Sequence, residues 1–217
     1  MNLEQARFNM IEQQIRPWDV LDPVVLDLLK QVPREDFVPT QYAGLAFADL
    51  EIPIGHGQSM LSPKLEARII QSLALKKTDK VLEVGTGSGY MTALLATLAA
   101  EVVSVDNVEA FTLAARQKLQ QHGIPNVTLE TGDAAQGWQT RAPYDVIVLT
   151  GSVPLLAEAF RTQLKPGGRL FAIVGEAPVM EATLVSCPAA NTYRTEKLFE
   201  LIVPSLVNAP QPQRFAF

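Results

Sequence analysis

A chain of 217 residues, 47 % of them apolar and with a net charge of −5, is long enough for one ample domain with a small appendage. No stretch nears ~18 uninterrupted apolar residues, and the polar, amphipathic start MNLEQARFNMIEQQ lacks a signal peptide's apolar run. Membrane and export are therefore not expected, and the protein reads as cytoplasmic. Lysine and arginine are nowhere concentrated, which disfavours nucleic acid, and a lone Cys187 beside two histidines gives neither a disulfide nor a metal site.

Leu3, Ala6, Met10, Ile11 and Ile15 recur near helical spacing and predict a helix over 3–16 that Pro17 stops. Asp22-Pro23 is a start signal, a capping acid followed by a first-turn proline, for an apolar helix over 24–32. Pro33 and Pro39 bracket a turn-rich link. Without strand–helix alternation, 1–50 reads as an N-terminal helical extension. The stretch EIPIGHGQSMLSP at 51–63 reads as a loop. Ser62-Pro63 then opens a helix with the inner face Leu65, Ile69, Ile70 and Leu73. From Lys80 onward, strands at 81–84, 102–105, 127–130, 145–149 and 169–174 alternate with helices at 91–100, 108–121 and 155–164. Such alternation means parallel strands joined by crossover helices covering both faces. Lys165-Pro166-Gly167-Gly168 reads as a tight turn, and β-rich runs near 183–187 and 197–203 as an antiparallel edge pair. The whole of 1–217 is expected to be one domain, with 1–50 the extension, 51–80 the loop and helix, and 81–217 the α/β core.

The stretch VLEVGTGSGY at 81–90 organises the rest. A buried strand carries Glu83 near its end, Gly85, Gly87 and Gly89 alternate through a turn, and a helix follows. Glycines serve where backbone turns tightly or a ligand lies against it. The next strand ends on Asp106, where an acid meets ribose hydroxyls. The spacing is GxGxG and not the GxGxxG of dinucleotide binders. With an acid just ahead of the first glycine, it points to S-adenosylmethionine (SAM) rather than NAD. Plainer roles compete: Asp106 as a helix N-cap, Asp133 as a turn residue, Ser62 as the cap of the helix behind Pro63, His56 as a solvent-facing loop residue. His122, at a helix C-terminus, and Cys187, a small core residue, are assigned no function.

Further stretches carry a family resemblance: VPREDFVP at 32–39, IPIGHGQSMLSP at 52–63, NVTLETGDAAQGW at 126–138, PYDVIVLT at 143–150, LKPGGRLFAIVGE at 164–176 and IVPSLV at 202–207. Together they resemble the protein-L-isoaspartate (D-aspartate) O-methyltransferase family, in order and over nearly the whole chain. The resemblance implies a doubly wound, mostly parallel seven-stranded sheet of the SAM-dependent methyltransferase fold. It also implies repair of proteins and peptides carrying isoaspartyl residues, with S-adenosyl-L-homocysteine (SAH) as product and no metal. It places Glu83, Gly85, Thr86, Gly87 and Gly89 at the cofactor, Asp106 at the ribose, and Asp133 with Ala134 at the adenine.

The acceptor side departs from the pattern. The family's substrate loop resembles GQTISQP, with the serine hydroxyl implicated in transfer; here the frame reads GQSMLSP at 57–63. Ser59 keeps the threonine's hydroxyl, Leu61 takes the serine position, and Ser62 follows one place later. The family's TAA is Thr150-Gly151-Ser152 here, and its GDG is Gly132-Asp133-Ala134. Ser59 is the better candidate for an acceptor-side hydroxyl and Ser62 the weaker; Ile54, His56, Gln58, Leu61 and Thr150 complete the expected substrate-facing set.

Methyl transfer from a sulfonium to a carboxylate is a direct displacement. A carboxylate with a pKa near ~4 is already ionised at neutral pH, so no general base is required. Alignment can supply up to roughly 7–11 kcal/mol, and water exclusion assists. The competing expectations are a SAM-dependent enzyme of this fold with another acceptor, and a SAM-binding protein without catalysis.

Overall fold

The computed structural model describes residues 2–212. Helix α1 (Leu3–Met10) is capped by Asn2, whose side chain accepts the Gln5 amide at 3.2 Å. The expected helix over 3–16 does not stay α-helical: a π-type turn (Ile11–Ile15) and a 3-10 turn (Arg16–Trp18) follow. The wider π turn rotates less per residue, which gathers the buried Met10, Ile11 and Ile15 onto a narrower face. Helix α2 (Pro23–Gln31) starts as expected, Asp22 accepting the Val24 amide at 2.8 Å. The link that follows is two 3-10 turns, Arg34–Asp36 and Thr40–Leu45.

Residues expected to be a loop form a small antiparallel hairpin, β1 (Ile52–Gly55) and β2 (Gln58–Met60), turning at Gly55-His56-Gly57. Its strands are too short for alternation to announce them. Helix α3 (Pro63–Leu73) buries Leu65, Ile69, Ile70 and Leu73 as expected, and also Glu66. Ser62 occupies its N-cap position, but its side chain makes no capping hydrogen bond.

The core then alternates: β3 (Lys80–Val84), α4 (Tyr90–Leu98), β4 (Glu101–Asp106), α5 (Glu109–Gln121), β5 (Val127–Thr131), β6 (Tyr144–Val153), α6 (Glu158–Thr162), β7 (Leu164–Glu176), β8 (Val179–Ala189) and β9 (Thr192–Leu201). The seven-stranded sheet has the order β5-β4-β3-β6-β7-β8-β9. Its first five strands pair in parallel, while β8 and β9 run antiparallel at one edge. The segment from Lys165 to Gly168 is not a separating turn. It bulges out of β7, where pairing jumps from Tyr144↔Leu164 to Val146↔Arg169.

Alternate strand residues face opposite sides. Val81, Val102, Val146 and Phe171 join one cluster with residues of α1 to α5, such as Met10, Leu26, Ile69, Leu94 and Ala115. Leu82, Val103, Ile147 and Leu170 pack on the other face with Phe160 and Tyr144. That second cover is thinner than expected, because the helix predicted over 155–164 shrinks to the five residues of α6. Helix α4 is apolar and buried nearly all round, since α2 and α3 pack over it. None of the described helices is long and apolar enough to cross a membrane.

Candidate active site

The chain leaves β3 at Val84, and β6 departs to the opposite side of β3 from β4. This is a topological switch point, where open α/β sheets hold ligands beyond the carboxyl ends of their strands. A cleft of about 910 Å³, counted out to its open mouth, lies there.

Its floor is the glycine turn. Gly85 donates to the Val105 carbonyl at 2.8 Å, and its own carbonyl accepts the Thr150 hydroxyl at 2.8 Å, as does that of Val84 at 2.9 Å. Gly85 has φ +101°, and a Cβ there would stand 2.2 Å from Thr150 Oγ1. Gly89 serves packing, since a Cβ on it would lie 2.9 Å from the Ala115 Cβ of α5. Asp106 joins the turn to the next helix: Oδ2 accepts the Gly87 amide and Oδ1 the Val108 amide, both at 2.9 Å. Asp106 does not cap α5, whose N-cap is Val108 and has no side-chain cap; it closes the turn ahead of that helix and lines the cleft. Burial pushes the Asp106 carboxyl above its ordinary range, and these backbone amides pull it back.

Asp133 holds the far end. Oδ1 accepts the Ala135 amide at 3.0 Å, the turn role weighed in the sequence, and Oδ2 accepts the Asn208 side-chain amide at 2.9 Å. Asn208 belongs to a strap that returns after β9. Pro204 to Val207 form one wall of the cleft, fastened by Ser152 N–H to the Pro204 carbonyl (3.0 Å) and Leu206 N–H to the Ser152 carbonyl (2.8 Å). The hairpin residues Ile54, Gln58, Ser59 and Met60 line the same cleft.

Of the residues singled out in the sequence, Gly85, Thr86, Gly87, Asp106, Asp133 and Ala134 line the cleft together. So do Ile54, Gln58, Ser59, Leu61 and Thr150 on the acceptor side. Glu83, Gly89, His56 and Ser62 are not among the lining residues. His56 sits at the hairpin tip, edge-on to the Phe111 ring at 5.3 Å between centroids. Ser62 begins α3, and Gly89 packs behind the turn. Glu83 is fully buried under the turn, where Oε2 accepts the Thr92 hydroxyl and Oε1 has no protein partner. Sequence reasoning missed Met91, Phe111, Glu66 and the strap. Glu66 had a signal, standing three and four residues before Ile69 and Ile70 on the inner face of α3.

Burial raises the Glu83 carboxyl to about 8, against the pull of the neighbouring Ser104 and Thr92 hydroxyls. Its folded-state value exceeds the unfolded one, so the folded protein holds the extra proton. The associated stability is full below about pH 4.5 and is lost as pH rises through about 8. Between pH 6 and 9 the urea-unfolding free energy of Glu83→Gln is expected to gain about 2 kcal/mol on the wild type. Parallel pH curves would mean that Glu83 ionises freely where it stands.

Among the described residues, the ionisable ones lining the cleft are Glu66, Asp106 and Asp133, with no lysine or arginine beside them. An acid-lined cleft suits a sulfonium with a ribose diol and does not suit a pyrophosphate, so the residues fit SAM. Gly85, Thr86 and Gly87 offer open backbone, Asp106 a carboxylate at the end of β4, and Met91 and Phe111 apolar surface.

Comparison with known proteins gives the same direction. A family model described as Protein-L-isoaspartate(D-aspartate) O-methyltransferase (PCMT) matches residues 5–199. Protein-L-isoaspartate O-methyltransferase 1 of Rhodopseudomonas palustris (strain HaA2) is 37 % identical over 215 residues, covering 95 % of this chain and 88 % of the relative. Protein-L-isoaspartate O-methyltransferase 2 of Pelobacter propionicus is 38 % identical over 209 residues, covering 96 % and 93 %. Among solved structures, a putative protein-L-isoaspartate O-methyltransferase from Plasmodium falciparum in complex with SAH superposes with a TM-score of 0.79 at 18 % identity, covering 95 % of this chain and 98 % of that one, which shows the shared fold.

Proposed function

We propose, from the premise that this chain belongs to the protein-L-isoaspartate(D-aspartate) O-methyltransferase family, that its cleft methylates the free carboxylate of isoaspartyl residues in damaged proteins. The enzyme is a SAM-dependent repair methyltransferase. The observation that carries the reading to particular residues is that the glycine turn and the hairpin line one and the same cleft.

SAM, when bound, supplies an electrophilic methyl carbon. The protein's part is holding and shielding. Asp106 accepts from ribose hydroxyls while its bonds to Gly87 and Val108 keep it aimed. Asp133 and the backbone around Ala134 receive the adenine. Ser59, on the hairpin wall, donates its hydroxyl to the acceptor carboxylate, and Gln58 borders the same space. No side chain is needed as a base, because the acceptor is already ionised. The hairpin and the strap keep water from both sides of the transfer path, leaving the carboxylate less solvated as it attacks.

The test compares an isoaspartyl peptide with its normal aspartyl twin, using methyl-labelled SAM. A base-labile methyl ester on the first peptide only is the expected result; no ester on either peptide would end the reading. Leu61 bears on the rate. Its side chain is buried in the acceptor wall, where the family pattern carries a hydroxyl. Leu61→Ser is expected to raise kcat/KM for the isoaspartyl peptide about 10-fold, the worth of one hydrogen bond to a charged group. A loss would favour the second reading, in which Leu61 shapes the cleft for a different, less polar acceptor.

A further inference from the structure

Arg34 is almost entirely buried, at 1 % exposure, though it sits in a link of 3-10 turns and does not line the cleft. Its guanidinium fork serves three acceptors on three segments. Nε donates to the Ala46 carbonyl at 2.9 Å, Nη2 to the Leu61 carbonyl at 2.7 Å, and Nη1 to the Glu66 carboxylate. The guanidinium carbon also lies 5.1 Å from the centroid of the Tyr90 ring, the first residue of α4 after the glycine turn.

The Leu61 contact has a particular place in the fold. The hairpin forms its own two-stranded sheet, separate from the seven-stranded one. Among the described residues, the bond from Arg34 is the only side-chain hydrogen bond reaching 52–61 from outside it. Leu61 ends the hairpin arm that carries Ser59 and Met60, and all three border the cleft, as does Glu66. Arg34 therefore ties the acceptor wall to the residue that opens the helix on the cofactor side.

Stability is a weak explanation for such a pair. Desolvating two charges costs several kcal/mol per ion, and apolar residues of similar volume often replace a buried pair with no loss. What an apolar pair cannot do is grip the Leu61 and Ala46 carbonyls at once. Arginine alone offers a planar fork of donors in fixed directions; lysine presents a compact point charge.

We propose that Arg34 is a positioning residue for methyl transfer, setting the hairpin against the cofactor side of the cleft through the Leu61 carbonyl, with the Glu66 carboxyl as its fixed partner. This rests on methyl transfer as the reaction of the cleft, but its effect on the hairpin is separable from that reaction.

The test uses Arg34→Lys and the charge-free pair Arg34→Met/Glu66→Leu. Five quantities are measured: melting temperature, SAH affinity by calorimetry, kcat and KM for an isoaspartyl peptide, and amide exchange with SAH bound. In Arg34→Lys, exchange within 58–62 is expected to quicken about 10-fold, as for the loss of an anchoring charged hydrogen bond, with 101–106 unchanged. Peptide kcat/KM falls roughly 10- to 100-fold, as for a misplaced acceptor, while the SAH Kd stays within about 2-fold. The double variant removes both buried charges but leaves the Ala46 and Leu61 carbonyls without their donor, so it melts somewhat below the wild type and shows the same loss of turnover. Unchanged exchange at 58–62 would overturn the proposal, as would SAH affinity falling in step with turnover. If the wild type methylates no isoaspartyl peptide, the functional reading fails, and the exchange measurement still decides the role of Arg34.

Discussion

Asp106→Ala is expected to weaken SAH binding about 100-fold or more, by calorimetry, with methyl transfer falling at least as far. The carboxylate holds the Gly87 amide with one oxygen and the Val108 amide with the other. Hydrogen bonds to a charged group contribute about 1.5–3 kcal/mol each. Alanine removes these bonds and the acceptor proposed for the ribose, so the turn loosens at the place where the cofactor rests. Asp106→Asn separates the two losses. Its amide oxygen can still accept one backbone N–H, but its NH₂ replaces an acceptor with a donor. A smaller drop in melting temperature than for Asp106→Ala, with SAH binding still weakened at least about 10-fold, is expected of it. If Asp106→Ala binds SAH as tightly as the wild type, the residue only holds the turns on either side of it.

Gly85→Ala is expected to cost about 2–4 kcal/mol of stability, to lower the melting temperature by roughly 5–15 °C, and to leave no measurable SAH binding. Two causes act together. The backbone at φ +101° lies in a region that L side chains rarely adopt, and the new methyl would stand 2.2 Å from Thr150 Oγ1. Thr150 would have to turn away and give up its bonds to the Val84 and Gly85 carbonyls. Adding Thr150→Ala relieves the collision and leaves the backbone strain, so the double variant is expected to regain part of the lost melting temperature. Full recovery would mean that the collision alone matters. No recovery would assign the whole effect to backbone conformation.

The cofactor half was legible because its signals are local. An apolar strand, alternating glycines and an acid at the next strand's end are all short-range demands of a backbone that must bend around a ligand. Asp106 could be read to its position, and its double role follows from its place between a turn and a helix. The acceptor half was harder because its geometry comes from contacts far apart in sequence. The hairpin has three- and four-residue strands, too short for period-two patterning to stand out from a loop. Ser62 looked like a cap by position and does not cap with its side chain, since the hydroxyl's direction depends on packing. Glu83 carried the signature of a cofactor acid and lies sealed beneath the turn. Arg34 sat unremarked between two prolines, because nothing local says that a charge in a turn will be buried. The break of the first helix into a π turn was invisible for the same reason: tertiary packing of Met10, Ile11 and Ile15 sets it.

The strap from Pro204 to Asn208 also bears on when the site comes into being. Every strand of the large sheet precedes it in the chain, so a growing polypeptide can complete β9 with one wall of the cleft still missing. Synthesis runs from the N-terminus, and folding follows it. The glycine turn and Asp106 can take shape while the chain is still attached to the ribosome, but Asp133 gains its Asn208 partner only after residue 208 has emerged. A released chain ending at Leu201 would thus hold an open trough in place of a finished cleft. The capacity to mend other proteins would wait on a segment made after the whole sheet.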